Sequence, residues 1–175
     1  APQANSIVYR ISKDGGKSWT PIKTALAGTP GAEKIGYSDP SFVVDRTTGT
    51  IFLFSVKSYD AGLFQSQLGT DPAARNILHA HVVESHDNGE TWVNPRTITD
   101  QVTAGYESQW FTRFASSGEG IQLRYGAHAG RLIQQYAVAN SGTTSLMAVS
   151  VYSDDHGVTW KPGEPTEGSA DENKV

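Results

Sequence analysis

The side chains in this sequence able to do chemistry are scattered rather than clustered. His79 and His81 alternate along an apolar run, so both project to one face, as two metal ligands would. No third ligand has plausible spacing, and the pair reads as core or surface polar residues. Asp39 stands before Pro40 at the start of a strand, where an aspartate caps the strand or closes an Asx turn. Glu172 lies in Asp171-Glu172-Asn173-Lys174, which on its own reads as a solvated charge run. Glu119, between Gly118 and Gly120, reads as a turn residue. Zero cysteines exclude disulfides and thiolate metal sites.

Three further carboxylates sit in a repeat. The pattern S-x-D-x-G-x-x-W occurs as SKDGGKSW (Ser12 to Trp19), SHDNGETW (Ser85 to Trp92) and SDDHGVTW (Ser153 to Trp160). Asp14, Asp87 and Asp155 read as turn-formers that accept backbone N–H groups about two residues onward. Gly16, Gly89 and Gly157 supply the positive φ of a tight turn. Trp19, Trp92 and Trp160 then open the next strand and are expected to bury their rings. None of these residues is nominated for catalysis.

The elements around the boxes are strands. β-Branched and aromatic runs lead into each box at Ile7–Ile11, Ala80–Val83 and Met147–Tyr152. Phe42–Asp45 and Thr50–Val56 flank the turn Arg46–Gly49 as a hairpin, and Ile121–Leu123 and Arg131–Val138 flank a turn at Gly126–Gly130. Pro21–Gly36, Lys57–Asn76, Asp100–Gly120 and Lys161–Ala170 read as long loops, on the side away from the box turns. In the first of the middle pair, Leu63 and Phe64 form either a small core or a pocket lining. In the second, Trp110, Phe111 and Phe114 either contact sugar or pack at a sheet edge.

With 18 Gly, 8 Pro, 7 Tyr and 4 Trp in 175 residues, and no sustained i, i+3, i+4 apolar spacing, the chain reads as all-β with little helix. Net charge is −4 without a Lys/Arg cluster, which argues against a nucleic-acid groove. No run approaches the roughly 18 apolar residues of a membrane-spanning helix. A strand–box–strand unit repeated three times reads as part of a β-propeller, whose blades take roughly 40–50 residues and number about four to eight. Residues 1–175 are therefore expected to form one partial domain, incomplete at both ends, with the remainder of the propeller and any signal peptide lying outside them.

With the boxes, the segments Tyr-Ser-Asp-Pro-Ser-Phe-Val-Val-Asp-Arg-Thr-Thr-Gly-Thr-Ile-Phe (37–52), Ala-Ser-Ser-Gly-Glu-Gly-Ile-Gln-Leu (115–123) and Asp-Glu-Asn-Lys (171–174) resemble bacterial sialidases (exo-α-neuraminidases) of the secreted actinobacterial type. The resemblance implies about three blades of a six-bladed propeller, with these Asp-boxes on the face away from the active site. It implies release of terminal sialic acid from glycoproteins, glycolipids or oligosaccharides, outside the cell, with neither metal nor cofactor. Asp39 matches an aspartate near the sugar's 4-hydroxyl edge. Glu172 matches the glutamate that polarises a tyrosine nucleophile. Val56, Leu63 and Phe64 match the lining of the N-acetyl pocket. The family's arginine triad, acid/base aspartate and tyrosine align outside 1–175, so this stretch alone is expected to be inactive. A non-catalytic Asp-box propeller that binds glycan or protein is the rival reading, and transfer to an acceptor sugar is not separable from hydrolysis at this level.

Overall fold

The computed structural model describes residues 3–175. Its strands are β1 (Ile7–Tyr9), β2 (Lys23–Leu26), β3 (Gly36–Val44), β4 (Ile51–Ser58), β5 (His79–Ser85), β6 (Val93–Thr97), β7 (Trp110–Ala115), β8 (Gly118–Glu119), β9 (Ile121–Gln122), β10 (Leu132–Asn140), β11 (Met147–Ser153) and β12 (Lys161–Pro162). Among the described residues helix is confined to one turn of α1 (Thr99–Val102) and a 3₁₀ turn at Leu63–Gln65. The strands form three sheets. β1 pairs with β2; β6-β5-β4-β3 is an antiparallel meander with β8 added parallel to β3; β12-β11-β10-β7 is a second four-stranded array, with β9 also paired to β10.

Each box turn joins two paired antiparallel strands: β1 to β2, β5 to β6, and β11 to β12. The lock is the same each time. In the second box Asp87 accepts from the Thr91 N–H (2.9 Å) and the Thr91 hydroxyl (2.6 Å), while Ser85 Oγ donates to Asp87 (2.8 Å) and accepts from the Gly89 N–H (2.8 Å). The first and third boxes repeat these bonds through Asp14 with Ser18 and Asp155 with Thr159. The aspartate therefore reaches four residues onward, not two. Those bonds stabilise the ionised carboxylate, and the hydroxyl and N–H of the residue four ahead hold Asp14 and Asp87 down to about 2. Gly15, Asn88 and His156 also take positive φ, immediately before the positive-φ box glycine. Two consecutive left-handed residues match the twist of a hairpin, as in primed turns.

The tryptophans correct the sequence reading. Trp160 is 1% exposed, with its ring edge-on to Phe52 and Phe54 of β4. Trp92 is half-buried between Tyr9 of β1 and Phe42 of β3. Trp19 is 58% exposed. Trp160 packs on β4 and Trp92 on Tyr9 of β1, each in a sheet earlier in the chain, whereas no described sheet precedes β1 to cover Trp19.

Burial on both faces of the middle sheet explains how the three sheets stack. Along β4, Phe52 and Phe54 join Val82, Trp110, Tyr136, Val151 and Trp160 in one core. Leu53, between them, points the other way, to Ile7, Leu26 and Val83. Full burial of such a side chain is worth roughly 1.5–3 kcal/mol. Polar ties complete the packing. Ser41 of β3 donates to Gln134 of β10 (2.8 Å), and Gln134 Nε2 donates to the Ser116 carbonyl (3.2 Å).

Three expected loops contain strands: β2 lies in Pro21–Gly36, β7 and β8 in Asp100–Gly120, and the two-residue β12 opens Lys161–Ala170. β7 is buried at all six positions, Thr112 and Arg113 included. A strand covered on both faces shows no alternation to read. The Arg113 guanidinium donates to the carbonyls of Gly69 (3.1 Å) and Trp110 (2.7 Å), and burial lowers its pKa to about 10. β2, in Pro21–Gly36, is four residues long and escaped notice for that reason.

Candidate active site

The register of the middle sheet separates two ends. Val44 of β3 and Ser85 of β5 both pair with Ile51 of β4, next to the second box. Ser38 and Ala80 both pair with Val56, about 17 Å away along β4. A cavity of about 340 Å³ opens at this second end, and no box residue lines it.

One wall is apolar. It is made by Val56, Ala61, Leu63, Leu78 and Phe114. All but Ala61 belong to the cluster that packs β4 and the loop after it against β7 and β10, so the wall is the outer surface of a core. Its residues come from four separate segments.

The opposite edge is polar, with Ser38, Asp39, Asp171 and Glu172. Asp39 is aimed by a bulge: between the pairs Ser38–Val56 and Ser41–Phe54, β3 carries one residue more than β4. Asp39 has φ 52°, a left-handed conformation that a short polar side chain tolerates. Pro40 follows it, with no N–H to leave unpaired. The Ser38 hydroxyl donates to Asp39 Oδ2 (2.6 Å). Tyr37 lines the cavity beside them, and burial raises its phenol pKa, which keeps it neutral.

Glu172 is exposed and reaches the cavity because Asn173 anchors its segment. Asn173 Nδ2 donates to Ser116 Oγ (3.3 Å) and to the carbonyls of Tyr136 (3.3 Å) and Asp171 (3.0 Å). The Glu172 N–H donates to Asp171 Oδ1 (2.9 Å). Sequence reasoning missed Asn173, Ala61 and Leu78. Nothing local marks a residue whose role is to brace a segment on a distant strand.

Asp39, Val56, Leu63 and Glu172 thus share one cavity, and Phe64 does not. Phe64 is 48% exposed and faces an outer groove with Gln67 and Thr143. The reason is the 3₁₀ turn, which sends the adjacent Leu63 and Phe64 in different directions.

The cavity pairs an apolar wall with hydrogen-bonding carboxylates and carries no Arg or Lys among its lining residues. Arg75, Arg96 and Arg131 are paired elsewhere with Asp60, Glu84 and Asp154. His79 and His81 are buried in β5, where His79 Nε2 donates to the Ala74 carbonyl (2.8 Å). No group of three potential metal ligands occurs among the described residues. No helix among them is long and apolar enough to cross a membrane.

The chain is 54% identical over all of its 175 residues to a sialidase of Micromonospora viridifaciens, of which it covers 26%. It is 31% identical over 149 residues to human Sialidase-4, covering 79% of this chain and 29% of that protein. The chain thus spans a little over a quarter of the length of these curated relatives. Among solved structures, a Hadza microbial sialidase superposes on 95% of this chain and 33% of its own, with a TM-score of 0.81 at 27% identity. The intramolecular trans-sialidase from Ruminococcus gnavus, at 18% identity, shares the fold over 96% of this chain and 54% of its own, with a TM-score of 0.75. The stacked sheets are accordingly blades of a sialidase-type β-propeller. The model of the BNR repeat-like domain matches residues 3–175, and the chain belongs to that family.

Proposed function

We propose that the protein carrying this chain is a retaining exo-sialidase that releases terminal sialic acid from glycoproteins, glycolipids or oligosaccharides. The observation that carries this reading is the convergence of Asp39, Val56, Leu63 and Glu172 on one cavity, in a chain 54% identical to a sialidase. The apolar wall suits the methyl of an N-acetyl group, and the polar edge suits the sugar's hydroxyls. Extracellular action belongs to the same reading, since such glycoconjugates line cell surfaces.

The anomeric carbon of sialic acid bears a carboxylate, which repels a carboxylate nucleophile. A neutral tyrosine avoids that repulsion, and sialidases are an established tyrosine exception among glycosidases. A phenol with a pKa near 10 needs a base within hydrogen-bond reach. Glu172 is assigned that role, taking the phenol proton as the oxygen attacks and the aglycone leaves. Asp39 is assigned to the hydroxyl edge. The nucleophile, the acid and the arginines that hold the substrate carboxylate must come from residues other than these.

Release of a fluorogenic phenol from an aryl α-sialoside by the whole protein tests the reading. Glu172→Gln should lower kcat by about 10²–10⁴ and leave KM near the wild-type value, because the base acts in the transition state. A wild-type kcat in that variant removes Glu172 from the chemistry. A protein that binds sialosides without releasing the phenol is the glycan-binding propeller instead.

A further inference from the structure

We propose that Arg113 is a positioning residue that fastens the loop after β4 to β7, and so sets which acyl group the cavity's apolar wall accepts. This rests on the sialidase reading of the cavity. Arg113 is fully buried, and every hydrogen bond of its side chain ends on a backbone carbonyl: Gly69 (3.1 Å), Leu78 (3.5 Å) and Trp110 (2.7 Å). Among the described residues no carboxylate pairs with it, and its Nε has no partner. A buried cation without a counter-charge is a costly way to fill space. What it supplies is a rigid fork of N–H donors. Gly69 and Leu78 belong to the loop of residues 59–78, and Trp110 to β7. One planar group therefore holds two points of the loop against the neighbouring sheet.

The loop's other hydrogen bonds do not replace it. The Gln67 N–H donates to the Asn76 carbonyl (3.0 Å), the Leu78 N–H to Ser66 Oγ (3.0 Å) and the Asp60 N–H to the Arg75 carbonyl (3.1 Å), which closes the loop on itself. Arg75 ties the outer edge to Asp60 and, at 3.5 Å, to the carbonyls of Ala32 and Lys34 in the connection before β3. Among the described residues, Arg113 alone hydrogen-bonds the loop to the sheet of β7 and β10.

The wall depends on that attachment. Ala61 and Leu63 ride on the loop, Leu78 gives its carbonyl to Arg113 and lines the cavity, and Phe114 follows Arg113 in β7. Val56, the remaining wall residue, is held separately by its pairing with Ser38 and Ala80. A loop that drifted outward would widen the slot for an acyl methyl. Asp39 and Glu172, on β3 and the 171–174 segment, would stay in place. The loop side offers an independent handle. Gly69 has φ 138°, and a Cβ there would lie 3.9 Å from Ile77, an ordinary contact, so a substitution strains the backbone without a clash.

The test compares two aryl α-sialosides in the whole protein, one with the acetamido group and one with a hydroxyl in its place. Arg113→Lys keeps the charge and loses the fork. It should raise KM for the acetamido substrate about tenfold with kcat within about twofold of wild type. Both constants for the hydroxyl substrate should stay within about twofold. Gly69→Ala, which shifts the accepting carbonyl and leaves β7 untouched, should lose the same selectivity and decides the matter if Arg113→Lys does not fold. An unchanged ratio of the two KM values, or equal losses on both substrates, overturns the role of Arg113. Hydrogen exchange separates this from failure of the sialidase reading. If wild type cleaves neither substrate, that reading fails. Faster exchange confined to residues 59–78 in the folded variant then still supports the fastening, and unchanged exchange there overturns it.

Discussion

His156 Nδ1 lies 2.7 Å from Oδ2 of Asp45, joining the third box to the β3–β4 turn one sheet away. Asp45 is fully buried and also accepts from the Thr47 N–H (2.8 Å) and Gln122 Nε2 (2.9 Å). Burial alone would raise its pKa, but the bonds from His156, Thr47, Thr48 and Gln122 outweigh that and hold it below the ordinary value. An ionised Asp45 makes His156 Nδ1 the donor. Arg96 spans the same seam, pairing with Glu84 on β5 and donating to the Gly157 carbonyl (2.7 Å).

Removing that donor should loosen the seam between sheets. His156→Ala is expected to cost about 1–3 kcal/mol in urea denaturation, because a buried carboxylate loses a charge-assisted partner. Asp45→Asn alone should also destabilise. The two changes together should cost less than their sum, which a double-mutant cycle reads directly. Strict additivity would show that the contact contributes nothing.

Gly157 combines two constraints that can be separated. It has φ 82°, and a Cβ there would lie 2.2 Å from the Phe52 ring. Gly142 has φ 85° with open space around it. Gly142→Ala should therefore cost about 1 kcal/mol of backbone strain, and Gly157→Ala about 3 kcal/mol or more once overpacking is added. Equal melting temperatures for the two variants would mean that Phe52 moves aside freely.

Stability should fall on mild acidification because of His81. It is 3% exposed, and burial lowers its pKa from 6.5 to about 4. Between those values the unfolded chain binds the proton and the folded one does not. Stability is then complete above pH 6.5 and declines as pH falls towards 4. At about 1.4 kcal/mol per pH unit, the gap is worth about 3 kcal/mol. His81→Gln should flatten the slope in this window, leaving the smaller part due to His79, whose pKa burial also lowers. The box aspartates add a further loss below pH 3.8 as they protonate towards about 2. An unchanged slope in His81→Gln would place the titration elsewhere.

The three box tryptophans should rank by neighbour rather than by motif. Trp160→Ala is expected to cost about 3–5 kcal/mol as a buried ring, Trp92→Ala less, and Trp19→Ala under about 1 kcal/mol if its face is as open in the whole protein. A Trp19 variant as damaging as the Trp160 variant would reveal a further surface covering it.

Most of what the sequence alone determined about this protein is local in the chain. The boxes are legible because Asp87 bonds Thr91 four residues on, and Ser85 bonds Gly89 at the same spacing. Such contacts carry little loop-closure entropy and need no partner from elsewhere. Asp39 and Glu172 were legible only through resemblance, since one looks like a strand cap and the other like a charge run. The tertiary structure alone decided which of the three tryptophans is core, because a ring's burial depends on the sheet beside it. It also decided that Leu63 enters the cavity while the adjacent Phe64 turns to the groove, and that Asn173 braces Glu172 against Ser116. β7 stayed hidden for a related reason: covered on both faces, it has no polar side to alternate with. Contacts between residues distant in the chain depend on how the sheets stack, and no spacing along the sequence encodes that stacking.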